Sequence, residues 1–493
     1  MFETITPEQA GISSKYVQKL LAILTKKNYA MHSIIIAHKE KILFEKYWHP
    51  YDKNSLQRIY SAGKSFVSLA IGFLYDDGRI NLDDKVVTFF PEYDNDSLPE
   101  YLREQTICDM LTMSTASLDE HWMKLGITDR TAYYFTRLQN RPASTIYNYD
   151  STGSYLLGVI VERLSGKNFI EYLREKLFDK IGVSQEIECL KTPEGYLWAD
   201  SGIRCTARDF LYVAQFAANR GEWRGEQLLS REYMEKATTK QVFNACDGFV
   251  GSARHGYGYQ FWITQNNGFS FNGMGNQVAI CVPDLELVFV CTADNQFCAS
   301  SQEVIFDAFF DLIAENISQI PIEADPNRYK SLLDYSHSLK LITAPGAEYS
   351  AYENEINNVE FILEDNPMKI KRIKLCFAEN REGYLLFENI YGEKKLPFGM
   401  KKNVLSLFPK AGVPDETGTI SAPGHQYRCA TSAAWVEERK LFIKSQIIDK
   451  YLGNLNITIG FKDNRVGIQM IGNAEYFLED YNGFAGGYRM LDC

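Results

Sequence analysis

The chain has 493 residues, of which 45% are hydrophobic and 13% aromatic, enough to bury a large core in more than one domain. Acidic residues outnumber basic ones by 63 to 52, which argues against nucleic acid or an anionic membrane as a partner. Apolar stretches such as Phe66 to Leu74 are too short to cross a bilayer, and the acidic opening lacks a secretory signal pattern, so we expect a cytoplasmic protein.

The first part of the chain has strand-like segments at both ends and helical segments between them. Residues 14–29 have helical spacing, and the runs His32–His38 and Lys41–Trp48 predict a hairpin. We therefore predict an α+β domain over residues 1–320, with an antiparallel sheet flanked by helices and an all-helical insertion at about residues 80–250. The further helices predicted are Ala132–Leu138, Ser154–Leu164, Ala207–Asn219, Arg231–Ala237 and Gln302–Ile317. The further strands predicted are Gly256–Ile263, Phe269–Asn272, Gln277–Val282 and Leu287–Thr292.

A proline-punctuated segment and a strand-rich region complete the chain. Pro321, Pro326 and Pro345 mark residues 321–345 as a linker. Residues 346–493 then alternate short strands and turns, which predicts a β-rich barrel or sandwich domain. The strands predicted there are Val359–Leu363, Ile370–Phe377, Tyr384–Asn389, Val404–Leu407, Gln426–Trp435, Leu441–Ile448, Leu455–Phe461 and Val466–Met470.

The S-x-x-K sequence at Ser61 and Lys64 precedes an apolar run with helical period. A residue three positions later lies on the same helical face, so Lys64 can reach the Ser61 hydroxyl. A buried lysine with a lowered pKa can serve as the base that activates a serine. The alternative is a capping serine followed by a solvated lysine.

Two more segments contain residues suited to acyl transfer. Tyr149 and Ser151 lie just before a helix, and a tyrosine near a lysine ammonium can exchange protons with a serine. In Gly273 to Gln277, glycines beside a strand allow a substrate to approach the backbone, and a strand N–H there can bind an oxyanion. The alternatives are a structural tyrosine and an ordinary hairpin turn.

Together these three segments resemble the serine β-lactamase and penicillin-binding-protein superfamily. The resemblance is to the branch with class C β-lactamases, family VIII esterases, D-aminopeptidases and 6-aminohexanoate-dimer hydrolases. It covers about residues 5–315 and leaves the C-terminal domain out. Further stretches that fit this branch are Ser33–His38, Thr106–Ser114, Ser201–Phe210 and Gly221–Ser230.

The resemblance implies catalytic roles for three side chains and two backbone amides. Ser61 corresponds to the acylated nucleophile, Lys64 to its lysine partner and Tyr149 to the tyrosine of the Y-x-N motif. The amides of Ser61 and Gln277 correspond to the oxyanion hole. Ser151 stands at the Asn position of Y-x-N, a replacement seen in nylon-oligomer-hydrolase-like members.

The K-T-G motif of the family falls on Met274, Gly275 and Asn276, so its lysine is missing. That lysine attracts the carboxylate of a β-lactam or a C-terminal D-amino acid, and we expect poor β-lactam hydrolysis without it. We expect Met274, Gly275, Asn276 and Ser151 to contact substrate. Arg254 and His255 (residues 254–255) either line the site or lie at a strand edge.

These observations lead to the hypothesis of a serine hydrolase that cleaves an ester or amide of a small substrate. We expect no metal and no cofactor, and a small-molecule ester, amide or peptide as partner. Whether Lys64 or Tyr149 takes the Ser61 proton stays open, as do the oligomeric state and the role of the C-terminal domain. The alternatives are a D-amino-acid peptidase or amidase, a β-lactamase, and a ligand-binding protein on a hydrolase scaffold.

Overall fold

A computed structural model of the protein describes residues 2–117, 126–244, 254–414, 422–475 and 477–490. These residues fall into two compact units, the first ending at Lys340 and the second beginning at Leu341. The predicted fold class is confirmed, since the first unit combines an antiparallel sheet with helices and the second is a β-barrel. No helix among the described residues is long and apolar enough to span a membrane.

A six-stranded antiparallel sheet forms the centre of the first unit. The strands of this unit are β1 (Met31–His38), β2 (Lys41–Tyr47), β3 (Gln57–Arg58), β4 (Glu188–Cys189), β5 (Ile203–Cys205), β6 (Glu222–Trp223), β7 (Glu226–Gln227), β8 (Trp262–Ile263), β9 (Phe269–Gly273), β10 (Gln277–Val282) and β11 (Leu287–Ala293). The large sheet has the order β2-β1-β11-β10-β9-β8, so the N-terminal hairpin pairs with the last strand.

Helices cover both faces of this sheet. The helices are α1 (Ser14–Lys26), α2 (Gly63–Asp76), α3 (Glu100–Glu104), α4 (Ile107–Leu111), α5 (Arg130–Thr136), α6 (Ser151–Ser165), α7 (Phe169–Leu173), α8 (Asp179–Ile181), α9 (Ala207–Ala218), α10 (Arg231–Ala237), α11 (Ser301–Phe309) and α12 (Pro326–Ser338). Ile34 and Ile36 point into the core formed with α1 and α11, whereas Ile35 and Ala37 point into the core formed with α2 and α9. Both faces are buried, which explains why β1 is apolar at consecutive positions.

Three local predictions differ from the structure. The insertion is not all-helical, because β4 to β7 form short pairs within or beside it. The predicted strand Gly256–Ile263 is reduced to Trp262–Ile263. The segment predicted as a linker contains helix α12, which packs against α1. This helix begins at Pro326, and proline is favoured in the first turn of a helix.

The second unit is a barrel, one of the two predicted architectures. Nine strands follow one another in the order β15-β14-β13-β12-β21-β20-β19-β18-β17, and β17 closes the ring by pairing with β15. Strand β16 adds to the free part of β17. The elements are α13 (Glu353–Ile356), β12 (Glu360–Leu363), β13 (Arg372–Phe377), β14 (Glu382–Asn389), β15 (Gly392–Met400), β16 (Val404–Leu407), β17 (Arg428–Glu437), β18 (Lys440–Ile448), β19 (Leu452–Lys462), β20 (Arg465–Ala474) and β21 (Gly483–Arg489).

Candidate active site

Ser61 lies in a short 3-10 turn, Tyr60–Ala62, that leads directly into α2. Tyr60 has a φ of +48°, a conformation that costs energy for a side chain other than glycine. Gly63 has no room for a side chain, because a Cβ there would lie 2.5 Å from the Ala199 carbonyl oxygen. The serine is therefore held in a constrained turn at the start of a helix whose residues from Gly63 to Leu74 are all buried.

Lys64 faces Ser61 from the next turn of the chain. Its Nζ donates to Ser61 Oγ at 3.2 Å, and its side chain is only 2% exposed. The same Nζ lies 5.2 Å from the centre of the Tyr149 ring. The structure thus brings together the three side chains that the sequence predicted as catalytic.

Asp200 is a further member of this cluster, and the sequence analysis missed it. Lys64 Nζ donates to Asp200 Oδ2 and to the Asp200 backbone oxygen, both at 3.3 Å. Arg130 Nη1 donates to the other carboxylate oxygen at 3.0 Å, and both Asp200 and Arg130 are buried. One carboxylate is therefore shared by two buried cations, a link between distant segments that no local spacing indicates.

These neighbours determine the charge of Lys64. Burial lowers the pKa of the Lys64 ammonium, but the negative charges of Tyr149 and Asp200 raise it, and Arg130 opposes them. The pKa of Lys64 ends above its ordinary value. The expectation of a lysine with a lowered pKa is wrong, because the effect of burial is outweighed by the negative charges of Tyr149 and Asp200 together.

A second buried ion pair positions Tyr149. The next residue, Asp150, caps α6 by accepting from Gly153 N at 2.8 Å, and its carboxylate accepts from Arg137 Nη1 at 2.9 Å. The Tyr149 ring stacks on Trp262 with 5.8 Å between ring centres. The backbone and the ring of Tyr149 are thereby both held in place. Ser151 is the first residue of α6 and is half-buried.

The turn that carries Ser61 packs against strands β9 and β10. Gly273, the last residue of β9, approaches so closely that a Cβ there would lie 2.1 Å from the Ile59 carbonyl oxygen. Gln277 opens β10 opposite Gly273. Its side chain donates to the carbonyl oxygens of Met274 and Ala293, at 3.0 and 2.6 Å, and so anchors the turn between the two strands.

The residues at the K-T-G position have different environments. Met274 is 37% exposed at the tip of the turn, and Gly275 follows with a φ of +77°. Asn276 is buried, and its side-chain oxygen accepts from Asn295 Nδ2 at 3.0 Å, so this side chain serves the turn itself. Residues 254–255 are both exposed, on the segment that leads to Tyr257.

A cleft of about 310 Å³ lies beside the loop that carries Tyr149, and its lining is uncharged among the residues that the structure describes. Residues 144–147 and 242–244 line it together with Ser114, and none of them has an ionisable group except the phenol of Tyr147. Tyr147 packs against Tyr257, whose ring packs against Trp262 behind Tyr149. We call this space the neutral cleft. Among the described residues no group of His, Cys, Asp or Glu could hold a metal ion.

The chain is similar in sequence to proteins of known name over part of its length. A 6-aminohexanoate-dimer hydrolase of Paenarthrobacter ureafaciens is 25% identical over 265 residues, which cover 49% of this chain and 67% of that protein. Penicillin-binding protein 4 of Amycolatopsis lactamdurans is 28% identical over 132 residues, 26% of this chain and 34% of that protein.

Two solved structures have the same fold at low sequence identity. A proposed 6-aminohexanoate-dimer hydrolase from Bacillus anthracis has a TM-score of 0.53 and 19% identity, covering 65% of this chain and 89% of its own. EstCE1, described as a hydrolase with promiscuous acyltransferase activity, has a TM-score of 0.51 and 13% identity, covering 60% and 98%.

The family model described as beta-lactamase matches residues 22–297, more than half of the chain. The match includes the Ser61 turn, the Tyr149 loop and the strand that begins at Gln277. It confirms the resemblance that the motifs predicted and supports the enzyme class of serine hydrolase. This protein belongs to the beta-lactamase family.

Proposed function

We propose that this protein hydrolyses an ester or amide bond of a small, neutral substrate through an acyl-enzyme on Ser61. The observation that carries the proposal is the 3.2 Å contact between Lys64 Nζ and Ser61 Oγ at the start of a buried helix, with the centre of the Tyr149 ring 5.2 Å from the same Nζ. A serine hydroxyl needs such a neighbour to lose its proton during attack.

The proposed roles follow from the positions around Ser61. Its Oγ attacks the carbonyl carbon, and Lys64 and Tyr149 move the proton from the serine to the leaving group. The amides of Ser61 and Gln277 hold the oxyanion, a role supported by the packing of the Ser61 turn against β9 and β10. Water then releases the acid and restores the serine.

The proposal of a neutral substrate rests on what surrounds the site. Met274 occupies the position of the family lysine, so a substrate carboxylate lacks a charge-assisted contact worth roughly 1.5–3 kcal/mol. The neutral cleft adds uncharged surface close to Tyr149. The relative named 6-aminohexanoate-dimer hydrolase supports amides as candidates beside esters.

The test compares substrates and variants under the same conditions. We expect wild type to hydrolyse p-nitrophenyl butyrate and its anilide analogue, and to act poorly on a carboxylate-bearing β-lactam such as nitrocefin. Ser61→Ala should lose at least about 1,000-fold in kcat. Ser65→Ala is the matched control, because Ser65 lies on the same helix and donates to the Gln260 carbonyl oxygen at 2.7 Å. Equal rates for wild type and Ser61→Ala would refute the proposal.

A preference for nitrocefin over both neutral substrates would instead favour β-lactamase activity. A substrate set of D-amino-acid p-nitroanilides, which have a free amine, separates the peptidase alternative in the same assay. A phosphonylated Ser61 in a protein that hydrolyses none of these compounds would favour the ligand-binding alternative.

A further inference from the structure

We propose that Asp200 is a positioning residue that keeps Lys64 as an ammonium ion, so that Tyr149 accepts the proton of Ser61. The proposal rests on the proposed function, and it assigns the base that the sequence left open. Asp200 meets Lys64 with both its carboxylate and its backbone oxygen, at 3.3 Å each.

The geometry makes loss of the lysine proton costly. Asp200 and Lys64 are 1% and 2% exposed, so water screens the attraction between their charges only weakly. A neutral Lys64 would leave the buried Asp200 carboxylate with one cation instead of two. Removing one partner from a buried ion pair is strongly unfavourable, because the other charge is left without compensation.

Among the residues that the structure describes, the charged or titratable groups that affect Lys64 most come from three segments. Asp200 lies on the loop before β5, Arg130 is the first residue of α5, and Tyr149 precedes α6. Glu194 is also near Arg130, but it accepts from the Arg130 backbone N–H at 2.9 Å and receives the Tyr155 hydroxyl at 2.6 Å. The Glu194 carboxylate is thus engaged by Arg130 and Tyr155, and Glu194 makes a useful control.

Tyr149 and Asp200 both favour the charged form of Lys64, and of these two groups only Asp200 is not itself a candidate base. Without its carboxylate, burial and the like charge of Arg130 would both favour a neutral lysine. With it, Lys64 keeps its proton and places a positive charge beside the Tyr149 ring. A lysine that keeps its proton cannot accept another one, which leaves Tyr149 as the candidate base.

In the proposed acylation and deacylation steps, every proton and every electron pair has a donor and an acceptor. As Ser61 Oγ bonds to the acyl carbon, its proton passes to the Tyr149 phenolate and the carbonyl electron pair moves onto oxygen. When the tetrahedral species collapses, the bond to the leaving group breaks and the leaving atom takes the proton from Tyr149. A water oxygen then bonds to the acyl carbon while its proton passes to Tyr149, and when the bond between that carbon and Ser61 Oγ breaks, Tyr149 returns the proton to Oγ and the acid is released. Lys64 keeps its three protons throughout.

The first test is the pH dependence of kcat/KM on p-nitrophenyl butyrate. The alkaline limb should report loss of the Lys64 proton, and Asp200→Asn should move it to lower pH by roughly one unit or more. We expect kcat to fall roughly 100-fold with KM changed less than about threefold, since the change affects proton transfer. Glu194→Gln should leave the alkaline limb in place. An unmoved limb in a folded Asp200→Asn protein would overturn the proposal.

The second test needs no catalysis and uses the wild-type protein. Lysine labelled with ¹³C at Cε is followed by NMR against pH, and the Lys64 signal is identified by its loss in Lys64→Arg. An ammonium signal that persists to about pH 9 supports the proposal, whereas a neutral amine near pH 7 overturns it even if Ser61 proves to be the nucleophile. An ammonium in a protein without hydrolase activity would refute the proposed function and leave the role of Asp200 intact.

Discussion

Replacing Gly273 with alanine tests how closely strand β9 must approach the Ser61 turn. The added Cβ would lie 2.1 Å from the Ile59 carbonyl oxygen and 3.2 Å from the Ala62 nitrogen. Both neighbours belong to the backbone around the proposed nucleophile, so neither can rotate out of the way as a side chain could. The strand and the turn must therefore separate.

The size of the movement follows from the distances. Real Cβ contacts are essentially never under 3.0 Å, so the two segments must move apart by about 0.9 Å. A displacement of about 1 Å in a catalytic arrangement costs on the order of 100-fold in rate. Because Gln277 is paired opposite Gly273, the same movement would shift the amide proposed for the oxyanion hole.

The assay is kcat and KM on p-nitrophenyl butyrate for wild type, Gly273→Ala and Gly467→Ala. Gly467 is the control, since a Cβ there meets nothing within 4 Å. We expect Gly273→Ala to lose roughly 100-fold in kcat while it remains folded by circular dichroism, and Gly467→Ala to match wild type. A folded Gly273→Ala protein with wild-type kcat would refute the close packing of β9 against the turn as a requirement for catalysis.

Three further predictions concern other parts of the first unit. Tyr149→Phe keeps the stacking on Trp262 but removes the hydroxyl, so kcat should fall about 100-fold or more, measured by steady-state kinetics on protein shown to be folded by thermal melts. Equal kcat would exclude Tyr149 as the base. Met274→Lys places a cation at the exposed tip of its turn. It should raise kcat/KM for carboxylate-bearing substrates by about 10- to 100-fold relative to neutral substrates. An unchanged ratio of the two kcat/KM values would show that this position does not contact the substrate. Burial lowers the pKa of His32 to about 3, despite the hydrogen bond with Gln57. The unfolded chain therefore binds a proton that the folded chain lacks between about pH 6.5 and pH 3, and stability falls on acidification by up to roughly 1.4 kcal/mol per pH unit. Urea unfolding at several pH values should show that the free energy of unfolding falls less steeply on acidification in His32→Gln than in wild type. Identical slopes against pH would contradict this.

The parts of the site that could be predicted are those whose signal is local. Ser61 and Lys64 are three residues apart, and the apolar period that follows them requires a buried helix. Tyr149 stands directly before a capping aspartate, Asp150, and a long apolar helix. In each case a few neighbouring residues determine both the structure and the position of the functional group.

Asp200 could not be predicted because its role depends on distant partners. Its carboxylate meets Lys64 and Arg130, which are 136 and 70 residues away in the chain. Without knowledge of that contact, burial alone gave the wrong direction for the pKa of Lys64. Buried ion pairs of this kind are defined by the tertiary fold.

Two strands of the barrel, β15 and β21, were not predicted, because they too depend on distant partners. Strand β15 contains Lys394, Lys395 and Pro397, which break the alternating pattern, yet it pairs along its length with β14. Strand β21 is rich in glycine, and at Gly487 a Cβ would lie 2.3 Å from the Ile362 carbonyl oxygen. Closing the barrel requires this approach, whereas glycine in a sequence indicates a turn.

The most direct test of the central claim is to locate the reactive serine by mass spectrometry. Wild type, Ser61→Ala and Ser65→Ala are treated with a fluorophosphonate, weighed intact and then digested for peptide mapping. We predict one phosphonyl group on wild type and Ser65→Ala, attached at Ser61, and none on Ser61→Ala. Labelling at another residue, or equal labelling of Ser61→Ala, would contradict the assignment of Ser61 as the nucleophile.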